Sequence, residues 1–260
     1  MLPPQKGLKT EQQIFLGVHR FSPKVAVSGD INWTPCVIRH KVAMLRFWNR
    51  VLNMDNDRLT KVIFNLECTK VNVQKNWSYY VQNIFKEIGM EQTFQNRETC
   101  DLKHCQKELT LLYEREWQRL VERKPKLRFY REFKTVPGSE KYVELNIPCQ
   151  QRSLLAQLRF GILPLHIETG RFVNLRVDER LCQLCKNGDI EDEMHFLFSC
   201  NLYQGERANF LQTLHNDQPE TVTMNNINLL QYCFQNKTRK LARYVQAIFE
   251  KRKSNIYHTN

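Results

Sequence analysis

The chain has 260 residues, 42% hydrophobic and 11% aromatic, a composition that can bury a core and excludes an intrinsically disordered polymer. Its 39 Lys and Arg against 27 Asp and Glu give a formal charge of +12, an excess that attracts polyanions. Nucleic acid is the first partner this suggests, with a membrane surface or a merely basic face as competitors, and no stretch approaches the ~18 to 20 consecutive apolar residues that span a bilayer.

Residues 1–33 carry Pro3, Pro4, Gly7, Gly17, Pro23 and Gly29 with little periodicity, and read as an extended N-terminal segment. Thr34 and Pro35 then open a helix to about Asn53, with Ile38, Val42, Leu45, Trp48 and Leu52 as its apolar stripe. A second helix starts at Asn56 or Asp57 and runs through Leu59, Val62, Ile63 and Leu66. Asn76 caps a third through Trp77, Tyr80, Val81, Ile84 and Phe85, with Gly89 at its C-terminal stop. A longer helix covers 101–123, with Leu102, Cys105, Leu109, Leu112 and Leu120 inward and Pro125 closing it.

The turn-rich stretch from Pro137 to Pro148, with 141–147 as a strand candidate, marks a boundary between a helical domain (34–136) and a second helical domain (137–253) ahead of a flexible tail (254–260). In the second domain Ser153 to Phe160 reads as a helix stopped by Gly161, and LPLHIETGRFVNL as an extended or hairpin connection. Residues 201–216 and 226–235 are helical, and Asn236 caps a last helix through Leu241, Tyr244, Val245, Ile248 and Phe249. The expected architecture is mainly α: a helical bundle followed by a small zinc-knuckle module.

That module is the run RLCQLCKNGDIEDEMHFLFSC. Cys182 and Cys185 are two residues apart, nine more lead to His195 and four more to Cys200. A Cys-x-x-Cys turn brings two sulfurs together, and a second pair completes a tetrahedron around Zn2+ with no open position for water, so the site would be structural. Asp189 is the expected cap of a helix that begins near Ile190 and ends at about Ser199, because an unbroken α-helix would put His195 and Cys200 on different sides. Buried reduced thiols are the competing reading, and a redox role for the Cys-x-x-Cys lacks the flanking βαβ pattern. The start MLPPQKGLKTEQQ has no apolar core of a secretory signal, and nine cysteines, an odd number, suit a reducing compartment, nucleus or cytoplasm.

Two basic clusters flank this run. In 123–134, Arg123, Lys124, Lys126, Arg128, Arg131 and Lys134 are interleaved with Phe129, Tyr130 and Phe133, a mixture that could hold phosphates and stack unpaired bases, or equally form core rings under a charged rim. Arg152 and Arg159, seven apart, could join Arg171, Arg176 and Arg180 on one surface if a metal clip folds the connection back. The acids Asp189, Glu191, Asp192 and Glu193 should keep phosphates beside the metal loop and off it. No Asp-Asp pair, Gly-rich phosphate loop or zinc-deaminase pattern supports an enzyme, and Cys100, His104 and Cys105 read as helix packing before a second metal or reactive thiol. No small-molecule substrate is indicated.

The order FLGVHRF with GDINW, MLRFWNRVLNM, RLTKVIF, KPKLRFYREFK, LRFGILPLHIETGR and the Cys-Cys-His-Cys run resembles the C-terminal part of the reverse transcriptase polyprotein of animal non-LTR retrotransposons, over about residues 14 to 210. The resemblance implies a segment downstream of the polymerase palm, running from the thumb into a zinc-binding module that holds template RNA or target DNA. Cys182, Cys185, His195 and Cys200 carry over as metal ligands. The polymerase aspartates are missing, which implies a remnant or truncated copy without catalysis. A zinc-stabilised protein-interaction scaffold and a non-functional retroelement remnant are the alternatives.

Overall fold

The computed structural model describes residues 10–70 and 75–258. The helices in chain order are α1 (Glu11–Leu16), α2 (Lys24–Ile31), α3 (Cys36–Leu52), α4 (Leu59–Thr69), α5 (Trp77–Glu87), α6 (Glu91–Gln95), α7 (Leu102–Glu122), α8 (Arg128–Arg131), α9 (Lys141–Glu144), α10 (Cys149–Arg159), α11 (His166–Thr169), α12 (Gln204–Asp217), α13 (Asn226–Asn236) and α14 (Thr238–His258). The protein is mainly α. Among the described residues the strand-type pairing is a single antiparallel bridge, Leu181 with Ile190. The chain divides into two compact units: Trp33–Trp117, and the residues up to Asn32 together with those from Gln118 onward.

The Trp33–Trp117 unit closes around Trp48, which is fully buried. Its ring stacks on Phe94 at 5.1 Å and meets Phe64 and Phe85 edge-on, while its indole N–H donates to the Glu98 carbonyl at 2.9 Å. Ile38, Val42, Leu45 and Val51 share this core, so the stripe expected on α3 faces inward, with Val51 ahead of the half-buried Leu52. Asn49, expected off the stripe, exchanges two hydrogen bonds with the Cys100 backbone and ties α3 to the start of α7. On α5, Asn76 accepts from the Tyr79 amide as the capping argument requires, and Gly89 takes φ 70°.

The apolar residues read along α4 mostly face outward. Phe64 and Lys61 point inward, and Leu59, Val62, Ile63 and Leu66 lie outside. The Lys61 ammonium donates to the Val51 and Leu52 carbonyls at 3.0 and 2.7 Å, which satisfies the open C-terminus of α3 and fixes the rotation of α4.

In the other unit, residues 10–32 are helical where an extended segment was expected. The turn-forming residues there are helix punctuation: Thr10 and Gln13 form a capping box, Gly17 at φ 65° stops α1, and Pro23 precedes α2. Residues 1–9 of that expectation lie outside the described residues. The strand candidate at 141–147 is instead the short helix α9, because Tyr142 turns inward to an acid on α2. That acid is Asp30, fully buried, which also accepts from the Tyr130 hydroxyl and from Arg159 Nε, each at 2.8 Å. Arg159 reaches Glu140 at 3.1 Å, and Lys134 pairs with Glu140. The stretch 137–148 is therefore internal to this unit and not a domain boundary. The connection 163–175 is helical over most of its length, α11 running on into a 3-10 turn over Gly170–Val173. Residues 254–258 belong to α14 and not to a loose tail; residues 259–260 lie outside the described residues.

Candidate metal centre

The Cys-x-x-Cys turn is built by the backbone. Leu181 pairs with Ile190, with the Cys182 amide donating to the Asp189 carbonyl at 2.7 Å, and Lys186 and Gly188 at φ 55° and 82° reverse the chain between them. The second half begins at Asp192, whose carboxylate accepts from the His195 amide at 2.8 Å. Asp192, not Asp189, is thus the helix-starting acid.

His195–Ser199 is a π-turn, with the Cys200 amide bonded to the His195 carbonyl at 2.8 Å. In an α-helix, residues five apart are separated by about 140° around the axis. Closing the ring from residue i to i+5 widens the turn and carries position i+5 back over position i. The five-residue spacing is met by this local widening, and the helical turn ends at Ser199 as the sequence suggested.

The four donors converge. One ligand atom from each of Cys182, Cys185, His195 and Cys200 lies within 4.8 Å of all the others, with Cys182 and Cys200 sulfurs 4.0 Å apart and Cys185 Sγ 3.4 Å from His195 Nε2. A tetrahedral ion with metal–sulfur bonds of about 2.3 Å has sulfur–sulfur edges of about 3.8 Å and sulfur–nitrogen edges of about 3.5 Å. The cluster can therefore hold a metal ion with little movement. His195 Nδ1, buried with no hydrogen bond, lies 3.6 Å from Asp189 Oδ2. A carboxylate there orients the ring and leaves Nε2 for the centre.

Protons report the same crowding. A hydrogen bond from Cys200, aided by His195, pulls the Cys182 thiol down to about 3 against the effect of burial, and the same bond raises Cys200. Burial raises Cys185, and the hydrogen bond with Cys182 raises His195.

Two of the loop's acids are directed inward, while Asp189 is exposed. Glu191 and Glu193 are buried: Arg252 of α14 grips Glu191 with two bonds of 2.9 Å, and Arg128 holds Glu193 at 2.8 Å. Glu191 also accepts from the His166 amide at 2.6 Å, and its carbonyl from the Ile167 amide at 3.1 Å. These carboxylates are anchors between the metal loop, α8, α11 and α14, a use beyond the expected one of keeping phosphates off the loop.

The expected nucleic-acid contacts are largely dispersed. Phe129 and Tyr130 are core rings, and Arg159 is enclosed with Asp30 and Glu140, so none of the three presents a free surface to a ligand. Arg152 donates to the Phe15 and Ile147 carbonyls, and Arg180 to those of Ile167 and Leu175. Arg171 and Arg176 are exposed but paired with Glu168 and Asp178, and Lys126 shares Glu168. Lys124 is exposed, and Arg131 is exposed with one bond to the Glu122 carbonyl. The five arginines from 152 to 180 do not form one anionic dock, because internal carbonyls and carboxylates claim three of them.

Cys100 and Cys105 are buried, and burial pushes Cys105 up to about 12, which suits packing and not reactivity; His104 faces solvent. No helix among the described residues is long and apolar enough to cross a membrane. No protein-family model, curated protein or solved structure matches this chain.

Proposed function

We propose that this protein is a non-catalytic nucleic-acid-binding module, stabilised by a structural Zn2+ at Cys182, Cys185, His195 and Cys200, and akin to the C-terminal part of a retrotransposon reverse transcriptase. Three thiols and one imidazole brought this close are a donor set that suits zinc, and four protein ligands around one ion would leave no position for water. The metal would clamp the loop whose carboxylates anchor α8 and α14, so its contribution is to folding.

The observation that supports binding to a polyanion is where the charge goes. Among the described residues the buried acids are matched by bases: Asp30 with its neighbour Glu140 by Arg159 and Lys134, Glu168 by Lys126 and Arg171, Glu191 by Arg252, and Glu193 by Arg128. Such pairs take up the internal acids, so the cationic surplus lies mainly on solvent-facing residues, apart from the buried Lys61 that carbonyls hold. RNA template and target DNA are the natural ligands of this reading.

A protein-interaction scaffold is the second reading. It is favoured by the apolar outer face of α4, where Leu59, Ile63 and Leu66 are 72%, 47% and 57% exposed. The two readings separate in one experiment on the purified chain. Metal analysis should find about one zinc per chain, lost in Cys182→Ser with Cys185→Ser. Labelled RNA and DNA should bind at low salt, and failure of both to bind would leave the scaffold.

A further inference from the structure

The two most exposed large apolar side chains among the described residues, Phe172 at 79% and Phe21 at 74%, line the same cleft. We propose that this cleft is a single-strand subsite, in which Phe21 and Phe172 stack an unpaired base while neighbouring cations hold the adjoining phosphates. The inference rests on the nucleic-acid reading above and locates it.

The cleft has a volume of about 750 Å3, within the range of about 300 to 1,000 Å3 typical of ligand sites. Val18 and His19 form one wall with Phe21, and the His19 ring lies 5.1 Å from that of Phe21. The Arg20 guanidinium sits over the Phe21 ring at 4.8 Å. In the same lining Lys126 and Arg171 both pair with Glu168, so these three groups leave one positive charge beside the rings. An apolar peptide needs no such cations, and a small anion needs no exposed rings. A strand with unpaired bases uses both, because every base offers a π-face and every linkage a phosphate. Duplex bases, stacked on one another, cannot enter.

The Phe172 wall is also held in place before any ligand arrives. Arg180 Nη1 donates to the Ile167 carbonyl at 2.9 Å and Nη2 to the Leu175 carbonyl at 2.7 Å, and Glu191 receives the His166 amide. The segment from His166 to Leu175 is therefore suspended from Arg180, just ahead of the metal loop, and from Glu191 within it, which lowers the ordering cost of closing on a base.

The test uses the full chain with fluorescein-labelled oligouridylate, oligothymidylate and a DNA duplex, each of about twelve nucleotides, in anisotropy titrations at one low salt concentration. Phe21→Leu with Phe172→Leu keeps apolar bulk and removes the rings. It should weaken both single strands roughly tenfold and the duplex less than about twofold, and Phe21→Tyr with Phe172→Tyr should restore single-strand binding. Leu59→Ala, an equally exposed apolar truncation in the other unit, should change nothing. Equal losses on single strand and duplex, or leucine binding as well as phenylalanine, would overturn the subsite while the nucleic-acid reading stands. A wild-type chain that binds none of the three probes would overturn both. The two single-strand arms decide between RNA and DNA.

Discussion

Asp30 and Arg159 show how much one pair of charges can decide. Asp30 is fully enclosed, and its two oxygens receive Arg159, Tyr130 and Tyr142, every bond being between groups buried together. Burial and the neighbouring carboxylate push both tyrosine hydroxyls well above their usual range, so they stay protonated as donors. Arg159 is raised by Asp30 and Glu140 against its own desolvation and stays charged. Removing one partner strands the other. Asp30→Ala should cost about 3 to 5 kcal/mol in urea unfolding, and adding Arg159→Met should recover a large part of that loss. A cost below about 1 kcal/mol for the single variant would show that water enters and that the pair is not sealed.

At the scale of elements, the metal loop works as a latch. α14 is fastened to it by Arg252 on Glu191 and by the Tyr244 hydroxyl on the Leu197 carbonyl, and α8 by Arg128 on Glu193. Without a cation, three closely spaced thiolates repel one another, and the π-turn that aligns His195 with Cys200 is left to its own backbone bond and the Asp192 cap. Chelation should therefore raise amide hydrogen exchange across 181–200 and in the last turns of α14. The Trp48 core of the other unit should keep its protection, since none of its side chains is a ligand. Uniform loss of protection in both units would contradict this division.

For the whole molecule the governing quantity is charge. With internal acids neutralised in place, the net +12 sets long-range attraction, whichever residues make the final contacts. Each phosphate neutralised releases counterions and adds about −0.9 for duplex DNA, or about −0.7 for single strands, to the slope of log K against log salt. Several contacts predict a slope of about −2 or steeper, a loss of tenfold or more between about 50 and 200 mM salt in filter binding. A flat response would remove the electrostatic mechanism and leave recognition to shape alone.

What the sequence determined by itself was local. The spacing of Cys182, Cys185, His195 and Cys200 named four donors that the fold brings together, the stripe of α3 and the Asn76 cap named helices, and Gly17, although read as a loop mark, still lay at a helix end. These are signals carried within one or two turns of chain, where periodicity and hydrogen-bond chemistry act directly. The use of each charged or aromatic side chain was decided only in the tertiary structure. Arg159 finds Asp30 at a separation of 129 residues, Glu191 finds Arg252 at 61, and Lys61 turns α4 by capping a different helix. No local pattern distinguishes an arginine that will face a phosphate from one that will be sealed against a carboxylate. That choice depends on which distant groups must be desolvated together, and burial across the fold makes it.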